Sequence, residues 1–142
     1  MEERNRADLS RYRFERAEEE LDTAKQLLTL GRFNKSTNSS YYAIFHALRA
    51  VVAIDGFDSK KHKGIISYFN KNYVKTGIFP ANISGITASA FDVRSSADYE
   101  DYYEVSNDEA QEQIRGAEYV ISIIQPYLES VWAEMENTKG GS

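Results

Sequence analysis

The chain has no cysteine. That excludes a disulfide framework, a zinc ribbon and a thiol nucleophile, and it fits a reducing cytosol. Proline is scarce, with two residues, and glycine is held to eight in 142. Such a composition points to helices with few interruptions. No stretch of 18 consecutive apolar residues occurs, so no segment is expected to span a membrane. The first residues, Met1 to Arg6, are charged with no apolar core behind them. No secretion signal is therefore expected, and the location implied is the cytoplasm. What is present is 42% hydrophobic and 27% charged residues, the balance of a folded globular chain. A chain of this length buries enough surface to fold without a metal or disulfide.

The apolar residues recur at helical spacing. Phe14, Ala17, Leu21, Ala24 and Leu28 form one stripe, with Asp8 or Ser10 as candidate caps and Leu30 and Gly31 at the end. Glu15, Glu18, Glu19, Glu20 and Asp22 read as its solvated face. A second helix is predicted from Ser36, Thr37 and Asn38 to Asp55 and Gly56. A shorter one follows from Lys60 to Lys75, capped by Ser59 and ended by Thr76 and Gly77. Phe79 to Asn82 reads as a loop. A fourth helix runs from about Ser84 to Tyr99, with Ile86, Ala90 and Val93 inward. Ser106 and Glu109 make a capping box for a last helix. That helix carries Ala110, Ile114, Ala117, Ile121, Ile124, Leu128 and Val131. The fold class is all-α: an antiparallel bundle of four to five helices, forming one domain over 1–135. A flexible polar tail is expected over 136–142. No glutamate stands three positions before a histidine, so a di-iron bundle is not expected, and no metal site or cofactor is assigned.

The second helix divides into three sectors. Tyr41, Ile44, Phe45, Leu48, Val51 and Val52 are apolar. Ala43, Ala47 and Ala50 are small. Asn38, Ser39, Tyr42, His46 and Arg49 form a polar stripe on a helix with almost no face left for bulk solvent. Such a stripe faces a cleft or a second subunit. His46 is either a hydrogen-bonded histidine inside the bundle or interface, or a general acid or base.

The run Ser40, Tyr41, Tyr42, Ala43, Ile44, Phe45, His46, Ala47 resembles the signature of HEPN-domain proteins. The group in question is the small prokaryotic one encoded beside minimal nucleotidyltransferases. The resemblance continues through Lys61 to Phe69, Val74 to Gly77, Asp92 to Tyr99 and the helix from Ser106 to Leu128. It covers about residues 8–130. It implies a helical bundle that forms a homodimer in a toxin–antitoxin or defence system. In active members an Arg and a His from each subunit cut RNA without metal. His46 would then move a proton, and Asn38 would be the residue beside the family Arg. Ser39 stands at the Arg position, about 20° from His46 around the helix. A hydroxyl cannot replace a guanidinium at a phosphate. The resemblance therefore implies a weakened or silent endoribonuclease, or a binding module that holds a nucleotidyltransferase antitoxin or a nucleotide. Tyr42 and Arg49 are supporting residues, and Arg49 is also read as one half of a salt bridge.

Lys60, Lys61, His62, Lys63, Lys71 and Lys75 form a basic segment, with Tyr68, Phe69 and Tyr73 interleaved. The five lysines are candidate RNA contacts, and the rings are either stacking platforms or core. Arg94 and Asp98 stand at ion-pair spacing on a helix. Tyr99, Tyr102 and Tyr103 lie in an acidic connection. The net charge of −5 hides a split: residues 1–75 hold 14 basic and 10 acidic side chains, and 76–142 hold 3 and 12. An acidic total therefore does not exclude RNA at a local basic cleft.

Overall fold

The structure is a computed structural model that describes residues 2–140. It contains five α-helices and, among the described residues, no strand. α1 spans Glu3–Thr29 and α2 spans Phe33–Ile54. α3 is His62–Phe69, α4 is Asn82–Tyr99 and α5 is Asn107–Gly140.

α1 starts earlier than the capping residues suggested. Asp8 and Ser10 lie inside the helix, because Ala7 extends the buried stripe of Phe14, Ala17 and Ala24 one turn back. Ser10 has a different task. Its hydroxyl donates to the Ala50 carbonyl at 2.6 Å and accepts from Trp132 Nε1 at 2.8 Å. Gly31 ends the hairpin turn with φ of +75°, a conformation that side chains disfavour. α2 begins at Phe33, so Ser36 is not a cap; its hydroxyl donates across to the Ala24 carbonyl at 2.8 Å.

α2 is the centre of the bundle. All of its predicted apolar and alanine sectors are buried. Each fully buried side chain such as Ile44 or Leu48 contributes roughly 1.5–3 kcal/mol. The pairs Ser10–Ala50 and Ser36–Ala24 run α1 and α2 antiparallel. Ser10–Trp132 and the Lys25–Glu118 ion pair, at 3.0 Å, run α5 antiparallel to α1. Asn38–Asp98 and Tyr42–Arg94 do the same for α4 against α2.

The predicted Lys60–Lys75 helix is divided. After Phe69 the backbone widens into a π turn over Asn70–Val74. Ser59 is not the residue that opens α3. Lys61 precedes its first turn, and the Ser59 hydroxyl accepts the Lys61 N–H at 3.2 Å. On α4 the buried residues are Ile83, Thr87 and Ala90, so the inward face is rotated from Ile86 and Val93, which are half-buried. Thr87 tolerates burial because its hydroxyl donates to the Ile83 carbonyl at 2.8 Å. At the start of α5 the Ser106 hydroxyl accepts the Glu109 N–H at 3.1 Å. The other half of the box is redirected: the Glu109 carboxylate accepts from the Tyr103 hydroxyl at 3.3 Å. The stripe from Ala110 to Leu128 is buried, with Val120 and Trp132 added and Val131 half-buried. α5 continues to Gly140, past the expected boundary at 135. Residues 141 and 142 lie outside the described residues.

Candidate functional site

The polar stripe of α2 faces two sets of side chains. The upper set comes from α4. Asn38 Nδ2 donates to Asp98 Oδ2 at 2.9 Å, and Asp98 forms an ion pair with Arg94 Nε at 3.1 Å. Arg94 Nη2 donates to the Tyr42 hydroxyl at 3.2 Å. Its guanidinium also lies over the Tyr41, Tyr42 and Tyr99 rings, 5.3–5.7 Å from their centroids. Arg94 and Asp98 therefore form the intrahelical pair their spacing suggested. They also brace the stripe, which that spacing did not reveal.

The lower set comes from α1 and the segment before α3. Arg13 Nη2 and Arg49 Nη2 both meet the Asp58 carboxylate, at 3.3 and 3.2 Å. Burial alone would raise the Asp58 carboxyl. The Ser59 N–H, Arg13 and Arg49 overcome this and hold it below its ordinary range. Arg16 projects from the next turn of α1, with the Tyr12 hydroxyl at 3.3 Å.

His46 is half-buried between these sets. Its ring is 6.0 Å from Tyr42 and 6.1 Å from Phe45. Among the described residues it has no hydrogen-bond partner. Burial, then the charges of Arg16, Arg49 and Arg13, then His62, push the imidazole down to about 4. At neutral pH the ring is uncharged, with the charges of Arg16, Arg49 and Arg13 acting on it. Chemically, such an arrangement can hold an anion with a base beside it.

Ser39 is 7% exposed and supplies no charge to the site. Arg49 is in the expected salt bridge, and its guanidinium lies 6.0 Å over Phe45. Lys60, Lys61, Lys63, Lys71 and Lys75 are all exposed. The interleaved rings are not stacking platforms. Phe69 and Tyr73 are buried in the core, and Tyr68 stacks on Phe57 at 4.0 Å. Tyr73 is also tied to Asp55, its hydroxyl donating at 2.7 Å. Tyr99 and Tyr102 are exposed. Among the described residues no three His, Asp or Glu side chains gather as metal ligands. No described helix is long and apolar enough to cross a membrane.

Arg13 and Arg16 were missed by sequence reasoning. The available signal was Arg6, Arg13 and Arg16, which recur at helical spacing beside the Phe14 stripe.

Comparison with known proteins agrees with this architecture. A UPF0332 protein of Thermotoga maritima is 32% identical over 116 residues, covering 82% of this chain and 88% of its own. Another, from Archaeoglobus fulgidus, is 33% identical over 77% of this chain and 86% of its own. A Methanocaldococcus jannaschii protein named "Putative toxin" is 25% identical over 98% of this chain and 96% of its own. The family model described as HEPN domain matches residues 10–127. Helices, stripe and comparisons converge, and the chain belongs to the HEPN domain family.

Proposed function

We propose that the chain is a cytoplasmic HEPN toxin that cuts RNA without a metal ion, at a cleft completed by a homodimer. One observation carries the reading: His46 is half-buried, has no hydrogen-bond partner among the described residues, and is depressed to about 4 by burial and by the charges of Arg16, Arg49 and Arg13. Guanidinium groups stabilise charge on a phosphorane, and a neutral imidazole removes the 2′-hydroxyl proton. The exposed lysines at 60, 61, 63, 71 and 75 are then phosphate contacts along the approaching strand. The rate is low, because Ser39 stands where the family motif carries Arg. The partner in the cell is a minimal nucleotidyltransferase antitoxin.

The test is incubation of purified wild type, Ser39→Arg and His46→Gln with RNA in EDTA. Ser39→Arg cuts faster than wild type, and His46→Gln does not cut. Absence of cutting and of growth inhibition by both wild type and Ser39→Arg rejects the nuclease. Light scattering tests the dimer, which a mass near 16.2 kDa contradicts.

A second reading is a non-catalytic module that binds a nucleotide or holds the nucleotidyltransferase. Ser39 favours it, being buried and uncharged at the motif position. Nucleotide binding, or copurification with the partner, without any effect on RNA supports this reading.

A further inference from the structure

His62 is the chain's other histidine, and the mechanism above leaves it unused. It opens α3, and three contacts fix its ring. The Tyr41 hydroxyl lies 2.8 Å from Nδ1. Phe45 is stacked on one face, 4.0 Å between centroids and 27° between planes. Tyr42 meets it edge-on at 5.7 Å and 87°. Tyr42 and Phe45 are the same two rings that flank His46.

Tyr41 is fully buried, and His62 is its hydroxyl's hydrogen-bond partner. A hydroxyl donates and accepts, so it serves Nδ1 whether the imidazole is neutral or charged. Burial, with Tyr42 nearby, pushes the Tyr41 hydroxyl up to about 12, so it stays protonated beside His62. Nε2 has no hydrogen-bond partner among the described residues. An imidazole held at one nitrogen, stacked on one face and free at the other nitrogen is set for proton transfer. Burial, then the charges of Arg94 of α4 and Arg49 of α2, hold the free imidazole below its ordinary range. Lys61 and Lys63 flank it in sequence.

We propose that His62 is the second proton-transfer group of this site, the general acid to His46 as general base. The inference rests on the RNA-cleavage reading. In the step, the 2′-hydroxyl proton passes to His46 as the 2′ oxygen bonds to phosphorus. The bond from phosphorus to the 5′ oxygen breaks, and that oxygen takes a proton from the His62 imidazolium. The products are a 2′,3′-cyclic phosphate and a 5′-hydroxyl. Exchange with water returns each imidazole to its starting state. Bound phosphate favours the protonated form of His62 that the acid role needs.

The test compares His62→Gln and His46→Gln, each made in wild type and in Ser39→Arg. The substrates are an RNA oligonucleotide and its analogue with bridging 5′-sulfur at one linkage. A thiolate leaves without protonation, so only the acid becomes dispensable. His62→Gln is expected to slow the oxygen linkage by about 100-fold or more. It also removes the limb of the pH–rate profile that needs a protonated group. On the sulfur linkage it cuts nearly as fast as its parent, whereas His46→Gln cuts neither. Unchanged cutting of the oxygen linkage by His62→Gln overturns the inference and leaves the nuclease standing. Equal losses on both linkages assign His62 a structural role and overturn it as well. Absence of cutting by both wild type and Ser39→Arg overturns the inference and the underlying reading together.

Discussion

Arg13 Nη1 donates to the main-chain carbonyl of Arg49 at 3.3 Å, and both guanidiniums close on the carboxylate of Asp58. One exposed carboxylate thus holds two like charges together beside His46. Arg13 is held below its ordinary range, chiefly by burial and then by Arg49. Asp58→Asn keeps the shape and removes the countercharge. It is expected to lower stability by about 1 kcal/mol, since the carboxylate is largely solvated. It should also tighten RNA binding at low salt, because the cleft gains net positive charge. Thermal melts and filter binding read the two effects, and weaker RNA binding would contradict the site assignment.

The His46 titration has a definite sign. Its folded value of about 4 lies below the ordinary 6.5. Between those values the unfolded chain binds more protons, so stability rises with pH in that window and is complete above 6.5. Allowing for solvent around the half-exposed ring, the loss at pH 4 is on the order of 1–2 kcal/mol. His62 is also lowered and acts in the same direction. Proton NMR of the two imidazoles from pH 3.5 to 8 checks this. Added phosphate should move the His46 midpoint upward, and a midpoint already near 6.5 in the free protein would contradict the cationic surroundings.

Ser10→Ala removes a hydroxyl that serves two helices at once. The buried Trp132 N–H then loses its acceptor, and the Ala50 carbonyl loses a donor. A cost of about 1–3 kcal/mol is expected. Urea unfolding followed by the fluorescence of Trp132, the chain's single tryptophan, measures it directly.

Two glycines should respond oppositely to alanine. A Cβ on Gly64 would stand 2.3 Å from Ser59 Oγ and 2.9 Å from Ser59 Cβ. The hydroxyl can rotate away and the Cβ cannot, so Gly64→Ala should cost about 1–3 kcal/mol. Adding Ser59→Gly should recover most of it. Gly85 on α4 meets nothing within 4 Å, so Gly85→Ala should add about 0.5–1 kcal/mol through helix propensity. Paired melting curves decide both.

The order of the helices and most of the buried stripes of α1, α2 and α5 were legible in the sequence, because helical periodicity is a local property, whereas the inward face of α4 was not. Phe14, Ala17 and Ala24, the apolar and alanine sectors of α2, and the Ser106 cap each follow from spacing alone. The half-exposed stripe through His46 was legible for the same reason. What surrounds that stripe was decided only by the tertiary structure. Asp8 looks like a cap until Ala7 is buried beyond it. Phe69 and Tyr73 look like base platforms until the bundle closes over them. Arg13 and Arg16 look like ordinary surface charges until α1 packs antiparallel to α2 and brings their charges to act on His46, 30 or more positions further along the chain. Spacing along a chain fixes which side chains share a face. Which face meets another depends on how helices distant in sequence compete to bury their stripes, and here that packing brought the arginines of α1 within electrostatic reach of His46.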